Sequence, residues 1–182
     1  LNKMQLSALC LGLFAANFAC GEKMLNSQKV IANLTPSLTA LQSQTSLPVI
    51  FPTQVPKNPT LATFYIYIDP TLVSNTSYTI GIDSSKTCKG MHGCEIGTLT
   101  VSTTGTPQVY KDMNGNVLTK TINLTPTQPA SYTPGHAMAD YWPPVLEWHQ
   151  GAYFYHLSWQ VRDQSALVNT ALSLKPYVAP LK

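Results

Sequence analysis

From Leu61 onward the chain alternates apolar and polar residues in short runs, the period-two pattern of half-buried strands. Residues 61–68 set Phe64, Ile66 and Ile68 on one side and Tyr65 and Tyr67 on the other, until Asp69-Pro70 ends the run. Residues 78–82 and 95–102 alternate in the same way and read as the arms of a hairpin with a long tip. Residues 109–112 and 117–124 flank Asn114-Gly115, the strongest short signal for a tight hairpin. The last pair of runs, 145–149 and 152–161, brackets Gln150-Gly151, read as a two-residue turn that pairs His149 with Ala152 and Trp148 with Tyr153. That register lines Leu146, Trp148, Tyr153, Tyr155, Leu157, Trp159 and Val161 along one face, which needs a covering layer. Asp163 caps a helix to about residue 174, with Leu167, Val168, Ala171, Leu172 and Leu174 as its stripe and Pro176 beyond it. The predicted fold class is α+β: an antiparallel β-sheet meander of hairpins packed with a C-terminal helix.

Two stretches break the alternation. Residues 125–144 hold Pro126, Pro129, Pro134, Gly135, Pro143 and Pro144 and read as one long irregular loop. With Tyr132, His136, Asp140, Tyr141 and Trp142 it is the candidate binding surface, the alternative being that its aromatics cap one end of the core. Residues 20–58 are polar with scattered leucines and read as a tether. Within it Thr35-Pro36 starts a short helix, Leu38 and Leu41 supply a narrow stripe, and Pro48 stops it. Pro52, Pro56 and Pro59 break the next segment, so residues 49–51 make at most an edge strand.

The first nineteen residues have a different character. Lys3 precedes an apolar run from Leu6 to Ala19, too short and too interrupted by Ser7 and Asn17 to span a bilayer, and the order of charge, apolar stretch and small residue is that of an export signal. The run ends Ala19-Cys20-Gly21, similar to a bacterial lipoprotein signal in which Cys20 becomes the acylated first residue, although Asn17 stands where that pattern has an aliphatic residue. Cleavage after Gly21 would instead yield an ordinary secreted protein. The domain plan is a signal peptide at 1–19, a tether at 20–58, one β-rich domain at 59–176 and a tail at 177–182. The expected location is the periplasm or cell surface.

Composition narrows the partners. Of 182 residues only 10% are charged, and the net charge of +3 is spread thinly, with Arg162 the only arginine. Nucleic acid is excluded as a partner because its binding needs clustered cations to displace counterions. The expected partner is an envelope protein or a glycan, with the membrane reached through the N-terminal lipid if Cys20 is acylated. Four cysteines are present. Cys10 leaves with the signal and Cys20 takes lipid, so Cys88 and Cys94 remain as an even pair around a glycine-rich loop and read as a disulfide. The alternative, a metal site of Cys88, His92 and Cys94, offers only three ligands at an unusual spacing.

The run from Trp148 to Tyr155, followed by a strand and the helix from Ser165 to Leu174, resembles the ending of small exported bacterial domains of uncharacterised function, some attached to lipoproteins or anti-sigma factors. The resemblance covers about residues 145–176 and implies a compartment and a fold type, with no catalytic residues. Direct reading of the chemistry agrees. His149 and His156 share the face opposite the aromatic one with Glu147 and Phe154, but the expected register separates them by roughly 13–14 Å, too far to share an ion. No Gly-x-Ser-x-Gly elbow occurs. Glu147 and Asp140 are the one acidic pair near aromatics that suits a glycosidase. No cofactor and no metal are predicted. The expected role is non-catalytic binding or structure, with a carbohydrate-binding or carbohydrate-active protein and a subunit of a surface assembly as alternatives.

Overall fold

The alternating runs pair into a seven-stranded antiparallel sheet in a computed structural model that describes residues 27–56, 63–91, 93–136, 142–160 and 163–179. In chain order the elements are α1 (Ser27–Gln42), β1 (Ile50–Pro52), β2 (Tyr65–Tyr67), a 3-10 turn (Pro70–Leu72), β3 (Ser77–Asp83), β4 (Glu95–Ser102), β5 (Lys120–Thr125), β6 (Gln128–Thr133), β7 (Val145–Gln150), β8 (Tyr153–Trp159), α2 (Gln164–Leu172) and β9 (Leu174–Pro176). The large sheet has the order β2-β3-β4-β8-β7-β6-β5, while β1 and β9 form a separate two-stranded antiparallel ribbon. The α+β class and the C-terminal helix are as the sequence predicts.

One face of the sheet carries Tyr78, Ile80, Ile82, Leu99, Val101, Leu146, Trp148, Leu157 and Trp159, all buried. Leu38 and Leu41 of α1, Val49 and Phe51 around β1, and Leu167 and Ala171 of α2 complete that core. Each fully buried side chain of this size contributes about 1.5–3 kcal/mol, which is what holds the two layers together. On the other face, register places Thr79, Thr100, His156, Glu147, Ser131 and Thr121 in one row across neighbouring strands. β4 and β5 run in the same direction at separate positions in the sheet. Their connection, residues 103–119, crosses this face as a strap, with the Gln108 N–H on Glu147 and Pro107 near Thr121 and Ser131.

Several expectations are corrected. The tether expected over 20–58 is, in its described part, packed structure: Leu34, Leu38 and Leu41 of α1 are buried, and the helix passes through Pro36 rather than starting at it. The edge strand expected near 49–51 is β1, and β9 pairs with it as Ile50↔Pro176, Phe51↔Lys175 and Pro52↔Leu174. Tyr177, assigned to the tail, donates its N–H to Val49 O at 2.7 Å and so belongs to the same ribbon. The long loop at 125–144 contains β6. Pro129 is tolerated there because it lies beside a bulge at Asn123/Thr125 and outside the reach of β7, which pairs only with Ser131, Tyr132 and Thr133.

The last hairpin keeps its predicted faces but slips by two residues. The turn is Gly151-Ala152, so Gln150 pairs with Tyr153, His149 with Phe154 and Glu147 with His156. Gly151 takes φ +61°, the first central position of a II′-type turn, where glycine is favoured. On α2, Asp163 caps as expected by accepting the Ser165 N–H at 2.9 Å, yet Leu172 is exposed and the buried stripe is Ala166, Leu167, Thr170 and Ala171.

Candidate functional site

Of the predicted binding residues, the described ones, Tyr132, His136 and Trp142, lie at one end of the sheet without forming one surface. The loops at 84–94 and 134–144 both leave that end, where Gly97 pairs with Trp159 and Thr133 with Val145. Tyr132, read as a surface aromatic, is a core residue: it pairs with Leu146, is 4% exposed and carries the Lys120 ammonium over its ring at 5.2 Å. His136 and Trp142 do meet, stacked at 4.7 Å with 19° between their planes. The His136 N–H donates to Trp142 O at 3.0 Å and the Trp142 Nε1–H to Pro134 O at 3.2 Å, so the pair closes the base of the loop. Asp140 and Tyr141 lie outside the described residues, as do Cys20 and His92.

Cys88 and Cys94 are joined in a disulfide with Cα atoms 5.7 Å apart. Bonded sulfurs do not ligate a metal, and no group of three metal-capable side chains occurs among the described residues. The loop they close turns sharply. Lys89 at φ +50° and Gly90 at φ +76° are both left-handed, a conformation that a lysine holds only when its surroundings fix it. Asp83 supplies part of that fixing, because its Oδ2 accepts the Gly90 N–H at 3.1 Å. Tyr67 supplies more, since its ring lies where a Gly90 Cβ would come within 3.2 Å.

This loop, β2 and the middle of α1 enclose a cleft of about 410 Å³, a volume typical of ligand sites. Tyr65 and Tyr67 give it aromatic walls, Lys86 and Lys89 give it two exposed ammonium groups, and Asp83 lies at its margin. Neither lysine forms an ion pair among the described residues. Asp83 is 1% exposed and its Oδ1 has no hydrogen-bond partner. Burial pushes its pKa above the usual aspartate value, opposed by the Gly90 and Lys89 backbone N–H groups. Sequence reading missed this cleft. The available signal was Lys86 and Lys89 bracketing Cys88 ahead of Gly90, which marks a cationic loop, but nothing in the chain order announces that α1 stands opposite it.

The polar row holds the second constellation. Glu147 is 2% exposed, its Oε1 lies 2.8 Å from His156 Nδ1, and its Oε2 accepts the Gln108 N–H at 2.7 Å. The carboxylate therefore ties the strap to the sheet. Burial, then the charge of Glu147, raises the pKa of Tyr110 in the same strap. His149 projects beside Phe154 at 5.2 Å and is exposed, so the two-residue slip brings the two histidines nearer than expected without making a shared site. Comparison with protein-family models, curated proteins and solved structures found no match.

Proposed function

We propose that this is an exported protein of the bacterial cell envelope, with a non-catalytic binding role exercised through the cleft between α1, β2 and the disulfide loop. The observation that carries the reading is the cleft itself: a concave site of about 410 Å³ that gathers two tyrosines and two lysines with no ion-pair partner among the described residues. The bonded Cys88–Cys94 pair and the lack of any membrane-crossing helix among the described residues are compatible with export. The signal-like first nineteen residues point the same way, and lipid attachment through Cys20 would hold the molecule at a membrane surface.

Intact mass spectrometry of the protein from its native envelope tests the address. The expected species begins at Cys20 with an acyl mass, or just after Gly21 without one, and lacks the two hydrogens of the 88–94 bridge. Full-length protein recovered from the cell interior with free thiols would refute the reading. A carbohydrate ligand is the second reading, favoured by the tyrosine walls, since sugar rings pack on aromatic faces; binding to glycans that is lost in Tyr67→Ala would support it.

A further inference from the structure

Resting on that assignment of the cleft, we propose that its ligand is an acidic peptide in extended conformation, which adds to the free edge of β2 as an eighth strand. β2 ends the sheet, and no strand pairs with its outer side among the described residues. All three of its residues, Tyr65, Ile66 and Tyr67, line the cleft. The opposite wall is helical, with Leu34 and Ser37 of α1 facing the strand. A groove bounded by an edge strand and a helix is the geometry in which a peptide backbone pairs with the sheet while its side chains enter pockets.

The backbone argument chooses peptide over sugar. Outward N–H and C=O groups of an edge strand recur with the spacing of another strand, and they are obligate hydrogen-bonding groups that a matching backbone satisfies in series. The charge argument chooses acidic residues. Lys86 and Lys89 reach the cleft from the disulfide loop, and with neither in an ion pair among the described residues their ammonium groups are placed to meet a carboxylate of the ligand. The disulfide and the hydrogen bond from the Gly90 N–H to Asp83 hold that loop beside β2, so the cations are placed before the ligand arrives.

Panning a phage-displayed library of random twelve-residue peptides on the full chain tests this. The enriched sequences are then synthesised with N-methyl groups on odd or on even backbone nitrogens. Strand addition uses one parity of peptide N–H groups, so methylation of one set is expected to raise Kd at least tenfold and of the other set little. The Lys86→Glu/Lys89→Glu variant, whose changes are at exposed positions, is expected to weaken binding at least tenfold with its near-UV circular dichroism unchanged. No enrichment, or enriched peptides indifferent to both methylation patterns or to the lysine changes, would overturn strand addition. Binding of polygalacturonate fragments without peptide enrichment, lost in the lysine variant, would leave the cleft as a binding site and overturn the peptide. Self-association in sedimentation that competes with peptide would show a second copy as the occupant and equally overturn it. Failure of both probes would remove the cleft assignment as well.

Discussion

Tyr78→Phe deletes one oxygen from the centre of the molecule and leaves every apolar contact in place. Tyr78 is fully buried in β3, and its hydroxyl joins the sheet to the segment before β1: it donates to Pro48 O at 3.0 Å and accepts the Ile50 N–H at 2.7 Å. Burial drives its pKa far above the tyrosine norm, so the group is a neutral hydroxyl throughout the range in which the protein is handled. The ring remains, so no cavity forms. What is lost is one donated bond, about 0.5–1.5 kcal/mol, and the partner of a buried N–H, whose stranding costs about 1–3 kcal/mol. The expected destabilisation is about 2–4 kcal/mol, read by urea unfolding as a lower midpoint at unchanged slope. In a chain of this size it corresponds to a fall in Tm of about 4–16 °C. A loss below about 0.5 kcal/mol would refute the claim that this hydroxyl, rather than apolar packing alone, docks the α1–β1 layer on the sheet.

Three further outcomes follow from the geometry. Gly97→Ala would set a Cβ 2.6 Å from both Ser158 O and Trp159 Cε3, so a loss of about 1–3 kcal/mol and a changed Trp159 environment are expected in denaturation and near-UV circular dichroism. Glu147→Leu removes the acceptor for the Gln108 N–H, which costs about 1.5–3 kcal/mol, and hydrogen exchange of the strap at 103–119 should quicken more than that of β3. Asp83 has a folded pKa raised above its unfolded value, so it favours the native state most fully below the unfolded pKa and loses that contribution as pH rises through the folded value. Unfolding curves at several pH values should therefore show wild type losing stability relative to Asp83→Asn over that window, and a pH-independent difference would contradict the assignment.

Much of the sheet was legible in the sequence because alternation and turn residues are local. The arms at 78–82 and 95–102 and the two faces of 145–159 fall where period two puts them, since a strand's inward set is fixed by parity alone. Register within the last hairpin was less legible. Parity survives a slip of two residues, and only the positive φ of Gly151 decides which dipeptide turns. β6 was hidden by Pro126 and Pro129, and with it the core role of Tyr132, because a proline's tolerance depends on which flank of a strand is paired. The helical layer was misread for a similar reason. Leu38 and Leu41 make a weak stripe alone, and their burial depends on a sheet assembled later in the chain. The same dependence hid the cleft, whose walls come from residues near 35, 66 and 88.

The ribbon of β1 and β9 has a bearing on how the molecule is made. Among the described residues Ile50–Pro52 pairs only with Leu174–Pro176, so a strand made before the large sheet waits for one made after it. A stalled or clipped product ending before residue 174 would keep Val49 and Phe51 without their covering strand, an adhesive surface on a nascent chain. Closing the ribbon thus waits on residues 174–176, whichever side of a membrane the chain folds on.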